Sequence, residues 1–566
     1  MAAQNHSAHH HASKFTSRQR TIALVIVALA FVMDLLDTTI VNIAIPSIQT
    51  ELGASYAAIQ WITAGYALAF ATLLITGGRL GDVVGYKKLF VGGIAGFTIT
   101  SFLCGITPNI EVLIAGRLLQ GAAAAMMVPQ VMSLMQVMYK PKERGAVMGL
   151  FGALGGLSAS LGPIIGGFLI HWNIAGLDWR PIFLINVPVG IFALVMGLRY
   201  LPGGKSPHPL KLDIIGTILI IISLGMLVFP LIEGRELGWP TWIFWILAGS
   251  IPVFALFWKW QLKKFTIDKS PLIIPSLFKT YSYAVGLFAN VIFQLVMIGF
   301  FFTFTLTLQI GLGFDVIKAA LTGLPVAIGI GVSIGVIGPK LTAIIGRYTM
   351  TIGAVIMAIG LAVTAWVLQE GGMDTNPWAL APALLVIGIG MGMVMGLVFS
   401  IALKDVDKKH AGSASGTLNA GQQVGGAIGV ALVGVIFFGA LNQNATESFS
   451  AAKPDIKAYL TQQQVPEKAQ AVILKGVEVC YVDRTKETDN TIIPDSCNKL
   501  SQSAQHSKNA TLAGLGDVVS EATEKAVSDN FTNAFKMTMI YAISIVGVTF
   551  VISFLMPRKI EYAVDH

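Results

Sequence analysis

The sequence predicts an all-α integral membrane protein with fourteen transmembrane helices. Three observations carry that prediction. Of the 566 residues, 54% are apolar and only 12% charged, with a mean hydropathy of +0.71. A soluble chain would carry about twice that share of charge. Apolar segments of the roughly 20 residues that a bilayer requires recur along the chain. The basic residues sit in short clusters between those segments, so the net charge of +8 reads as membrane topology and not as a nucleic-acid surface. The 60 Gly and 20 Met suit close helix packing.

Taken in order, the first span is 21–45, too long for a cleaved leader and without a small-residue cleavage site. It carries Asp34 and Asp37, three residues apart and so on one helix face. A carboxylate in hydrocarbon costs roughly 3 kcal/mol or more, which marks the pair as functional. The second span, 56–78, ends in a glycine-rich basic turn, and the third, 88–107, contains Cys104 as a packing residue. The fourth, 111–137, places Arg117 and Gln120 inside the membrane, where Arg117 must face a cavity or a partner such as Asp34 or Asp37. The fifth, 145–171, has a Pro163 that removes a helix hydrogen bond, beside Gly162, Gly166 and Gly167. Spans follow at 181–201, 213–232, 240–260, 281–309, 316–338, 348–368, 378–402, 412–440 and 533–556. Within them Asn290, Gln294 and Asn419 are polar groups expected to face a pathway or to join helices.

The N-terminus, the even-numbered loops and the C-terminus hold most Lys and Arg, while the short odd-numbered loops hold only Arg180, Arg235 and Lys318. Both termini are therefore expected on the cytoplasmic side. The long polar loop 441–530 then lies outside, where Cys480 and Cys497 could pair as a disulfide. Stretches of it, Lys457–Lys475 and Leu515–Asn530, have the pattern of amphipathic helices. A weak repeat relates the turn after span two (Gly78 to Tyr86) to that after span ten (Gly338 to Arg347). The halves are thus expected to be related six-helix bundles, with spans seven and eight inserted between them. The expected parts are a tail 1–20, a bundle 21–201, an inserted pair with linkers 202–280, a bundle 281–556 and a tail 557–566.

Several motifs together resemble the major facilitator superfamily, in its fourteen-span drug:proton antiporter branch of the QacA/EmrB type. The turn Gly78-Arg79-Leu80-Gly81-Asp82-Val83-Val84-Gly85-Tyr86-Lys87 is similar to the superfamily's signature loop, although Val83 and Tyr86 stand where Arg is usual. Span four, from Gly116 and Arg117 to Gln120 and Gly121, resembles the motif whose Arg is linked to proton movement. The string from Gly155 through Gly162, Pro163, Gly166 and Gly167 matches the antiporter motif of exporters. Trp179 to Gly190, and Leu36-Asp37-Thr38-Thr39 to Pro46, match segments of the fourteen-span branch. Asp37 is the matching acid and Asp34 is additional to the pattern. The acid that some relatives carry after the Trp61-Ile62 pair is missing, and Asp34 is the candidate to replace it.

The resemblance implies two six-helix bundles plus two inserted helices, and proton-coupled efflux of amphipathic, often cationic compounds by alternating access in a bacterial cell membrane. Asp34, Asp37 and Arg117 would couple protons, and those acids with Gln120, Asn290, Gln294 and Asn419 would line the substrate path. Gly78, Asp82, Gly85, Lys87, Gly162, Pro163, Gly166 and Gly167 would serve the conformational change. Small molecules, protons and lipid are the expected partners of a monomer, with no cofactor, no metal and no nucleic acid. No phosphate-cradling Gly-x-x-x-x-Gly-Lys-Ser/Thr loop or nucleophile constellation supports an ATP-driven or enzymatic reading. The alternatives are an exporter of a lipid, siderophore or peptide that docks a periplasmic adaptor on the outer loop, and a nutrient symporter.

Overall fold

The computed structural model describes residues 16–139, 141–206, 210–407, 410–486, 494–499 and 515–556; the tails 1–15 and 557–566 lie outside that description. Among the described residues every regular element is a helix. In chain order they are α1 (Ser17–Leu52), α2 (Tyr56–Val84), α3 (Tyr86–Gly105), α4 (Ile110–Met138), α5 (Pro141–His171) and α6 (Pro181–Tyr200). Then come α7 (Ile214–Glu233), α8 (Thr241–Ile267), α9 (Tyr281–Gly311), α10 (Val316–Ile345), α11 (Tyr348–Gly371) and α12 (Pro377–Leu403). The last three are α13 (Ala411–Gln462), α14 (Glu467–Lys486) and α15 (Leu515–Leu555). Thirteen helices among the described residues are long and apolar enough to cross a bilayer. The 31-residue α5 covers the remaining expected span.

Local chemistry sets the helix ends. Thr16, Ser55, Asn109 and Asp213 each cap a helix start by accepting a backbone N–H. Gly85, with φ +114°, makes the sharp joint between α2 and α3 that a side chain would strain.

Helices α1–α6 pack against one another, as do α9–α13 with α15. The two sets meet chiefly through α2 against α13 and α5 against α10. Helices α7 and α8 pack as a pair, and α7 also lies against both α2 and α13. At its start, Asp213 accepts from Trp260 Nε1 and Gln261 Nε2 of α8 and from the backbone N–H groups of Gly216 and Leu272. Burial opposes its ionisation, but these donors outweigh it and hold the carboxyl below its ordinary range.

The two ends of the bundle differ. At the end away from the chain termini, hereafter the far end, one apolar core joins α1 and α2 residues such as Ile45 and Ile59 to Phe302, Phe437 and Phe438 of the second set. At the terminal end the apolar packing is divided: one core centres on α1–α6 and reaches Ala420 of α13, and another centres on Tyr283, Ala402 and Leu418.

The expected long polar loop 441–530 is largely helical. Helix α13 continues without a break to Gln462, and α15 starts at Leu515 as one helix with the last span. The reason is a one-sided stripe: Ala445, Phe449, Ala452, Ile456 and Leu460 recur at helical spacing and bury against Val477, Tyr481, Ala522 and Ala526. The helix expected over Lys457–Lys475 is instead split at a turn before Pro466, where Gln464 has φ +54°. Cys480 and Cys497 are bonded, with S–S 1.99 Å.

Candidate functional site

The site is built where α1, α2, α4 and α6 meet. Small residues permit the approach. A Cβ on Gly121 of α4 would lie 2.3 Å from Tyr66 O of α2, and one on Gly116 would lie 2.7 Å from Cys104 Sγ. This closeness lets Arg117 reach across to α1. Its Nη1 donates to Asp37 Oδ2 at 2.5 Å and to Gln120 Oε1 at 2.8 Å, and its Nε donates to Ile62 O at 3.1 Å. The guanidinium lies 4.3 Å from the centroid of the Tyr66 ring.

Asp37 is completely buried and fully supplied with donors. Besides Arg117 it accepts from Gln120 Nε2 at 2.9 Å and Asn186 Nδ2 at 2.8 Å, both on Oδ1. Ser101 closes the network, accepting from Gln120 at 3.1 Å and Asn186 at 3.0 Å while donating to Phe183 O. Asp34, buried one turn away, accepts from the Tyr66 hydroxyl at 2.5 Å. Of the two acids that were candidate partners for Arg117, the structure pairs it with Asp37.

The other candidates fall in different places. Asn290 donates to Leu418 O at 2.8 Å and so ties α9 to α13. Gln294 is buried with its Oε1 unpaired. Asn419 is exposed on α13, and its neighbours Gln422 and Gln423 are half-buried. On α5, a Cβ on Gly162 would collide with Thr39 Oγ1 at 1.9 Å, and one on Gly166 would meet Ile40 and Ile43 at 2.7 Å. Gly167 faces the other set, with Ala320 of α10 at 3.0 Å. Pro163 sits half-buried between them.

In the α2–α3 turn, Asp82 accepts from Tyr86 Oη at 3.0 Å and Lys87 donates to Leu198 O at 2.7 Å. Gly78 packs on Pro129 of α4. Arg79 is buried and donates to the carbonyls of Ser270 and Pro271, which tethers the turn to the linker after α8.

Sequence reasoning passed over Tyr66, Ser101 and Asn186. Asn186 stood inside a quoted motif, and its amide in an apolar run was a usable signal. Tyr66 and Ser101 gave none, because Tyr and Ser are ordinary residues in spans. It also passed over the end of α7. There Glu233 accepts from Trp61 Nε1 at 2.7 Å, and Glu236 accepts from Ala57 N at 2.8 Å. Arg235 lies 5.4 Å from the rings of both Tyr56 and Phe438. Among the described residues, no group of three or more His, Cys, Asp or Glu is placed to hold a metal.

The comparisons with known proteins agree with this architecture. A family profile described as Major Facilitator Superfamily matches residues 27–430. The chain is 39% identical over 541 residues to a probable actinorhodin transporter of Streptomyces coelicolor, covering 96% of this chain and 92% of that one. It is 32% identical over 425 residues to a tetracenomycin C resistance and export protein of Streptomyces glaucescens, covering 73% and 75%. Among solved structures, a bacterial homologue of the human lysosomal transporter Spinster, in an inward-facing and unoccupied conformation, superposes with TM-score 0.57 at 13% identity, over 97% of this chain and all of that one. That likeness concerns the fold. On the profile, the relatives and the helical architecture together, the chain belongs to the Major Facilitator Superfamily.

Proposed function

We propose that this multi-pass membrane protein is a proton-coupled exporter of amphipathic compounds, often cationic and including antibiotics, in a bacterial cell membrane. The observation that carries the reading is the buried charge network. An Arg and two carboxylates inside the bilayer are expensive unless they bind or move charge. Here they sit at mid-bundle beside α5, whose glycine string resembles that of exporters. The curated relatives point the same way, since one is named as a resistance and export protein. By the placement of Lys and Arg, both termini are cytoplasmic. The far end, where one apolar core joins the two sets, is then the outer face.

The cycle follows from those features. A substrate enters between the two sets of helices from the cytoplasmic side and displaces a proton from the acidic pair. The sets then rock about their contact, with α5 sliding on α10. On the outer side a proton reloads the acid, the substrate leaves, and the proton-loaded carrier returns. The substrate is moved without being changed, so no catalytic group is needed.

The test is transport in liposomes holding the purified protein, with the interior made acidic. Ethidium and tetracenomycin C should accumulate inside, and a proton-conducting ionophore should abolish the accumulation. Probe flow in the same direction as the protons would make the protein a symporter and overturn the proposal.

A further inference from the structure

We infer that Asp34, held by Tyr66, is the residue that takes up and releases the proton, and that Asp37 is a permanently charged partner of Arg117. The inference rests on the proton-coupled reading above. It comes from which hydrogen bonds survive when a proton is added.

All of Asp37's partners are fixed donors. Arg117 has no acceptor, and the contacting groups of Gln120 and Asn186 are amide nitrogens. A proton on Asp37 would set an O–H against an N–H, break one of three buried bonds and leave the Arg117 charge without its counter-ion. Both consequences are costly in a dry interior. In this arrangement the three donors favour the carboxylate.

Asp34 is differently equipped. Its partner is a hydroxyl, which donates to a carboxylate and can rotate to accept from a carboxylic acid. The bond persists in either protonation state, as a carrier requires. A purely structural tie between α1 and α2 would be made equally well by Asn or Ser, without burying an ionisable group. The charged and titratable groups facing Asp34 are Tyr66 from α2, Asp37 on its own helix and Arg117 from α4. Helices α5, α6, α9 and α10 carry their charged side chains only near their ends.

Tyr66 is the positioning residue. Its hydroxyl holds Asp34 and its ring underlies Arg117. A turn of the Tyr66 hydroxyl or a shift of its ring would thus change the setting of Asp34 while Asp37 and Arg117 stay paired.

Infrared difference spectra of purified protein, acid minus alkaline, test the assignment without any transport. The wild type should show a protonated-carboxyl band that Asp34→Asn removes, Tyr66→Phe shifts in pH midpoint, and Asp37→Asn retains. In liposomes, acid-driven ethidium accumulation by Asp34→Asn should fall to the level of empty vesicles. Its residual downhill flux should lose the pH dependence that Tyr66→Phe merely displaces. A band lost in Asp37→Asn but kept in folded Asp34→Asn would overturn the inference. Absence of acid-driven accumulation by the wild type would count against antiport, while the infrared result would still decide between the two acids.

Discussion

At the scale of single residues, the network around Asp37 depends on the shape of Arg117 as well as its charge. The planar guanidinium donates to three acceptors and lies over the Tyr66 ring. A lysine would keep the charge and lose the fork. Arg117→Lys should therefore leave the protein in the membrane while weakening the site by about 1.5–3 kcal/mol, the range for a buried bond to a charged group. Drug efflux should fall on the order of 10- to 100-fold, measured at equal amounts of folded protein. Unchanged efflux would mean that charge alone suffices. The sequence made Asp34, Asp37, Arg117 and Gln120 legible because ionisable and amide groups in an apolar run are conspicuous. It could not pair them, because pairing depends on helix rotation: Arg117 could reach either acid until α4 was placed against α2. Asn290 illustrates the same limit, since its amide could have faced a pathway or, as found, a carbonyl of α13.

At the scale of elements, fourteen spans were legible because each needs only length and apolarity, and neither depends on the neighbours. The role of α7 was not, because hydropathy says nothing about what lies beside a helix. Its last turn and the following residues bridge the two halves at the far end. Glu233 and Glu236 bond to α2, and Arg235 lies against Tyr56 of α2 and Phe438 of α13 and reaches Asn442 at 3.4 Å. The inserted pair is thus part of the closure and not an appendage. Arg235→Ala removes two cation–aromatic contacts of about 0.5–2 kcal/mol each. The joint between the two sets at the far end should then open several times more often. Labelling of a cysteine placed at Gln60, buried there between α2 and α13, by a membrane-impermeant maleimide should rise accordingly. Labelling no faster than in an otherwise unaltered Gln60→Cys protein would show that the apolar core alone holds this end shut.

At the scale of the whole molecule, two structures are stacked end to end. The membrane bundle has its own apolar cores, and the extension formed by α13, α14 and α15 has a further, smaller one. The extension was legible in part: the amphipathic pattern of Leu515–Asn530 is helical as expected, whereas the run of α13 on to Gln462 was not, because helices apolar on one face only keep a polar average hydropathy. Its ties are the Cys480–Cys497 bond, Tyr481 Oη donating to Ala526 O at 2.9 Å, and Glu478 paired with Lys453 and Lys475 at 3.2 and 3.3 Å. The disulfide closes a loop of 17 residues in sequence. Such a loop contributes about 3 kcal/mol by restricting the unfolded chain. Replacing both cysteines by Ser should therefore loosen α14 first. Hydrogen exchange across Glu467–Lys486 should quicken by up to about 100-fold, since 1.4 kcal/mol is a factor of ten. Exchange in α2 and α4, buried in the bundle's cores, should stay as it was, and efflux should persist. Loss of efflux in a variant with unchanged exchange in α2 and α4 would instead make the extension a working part of the exit path.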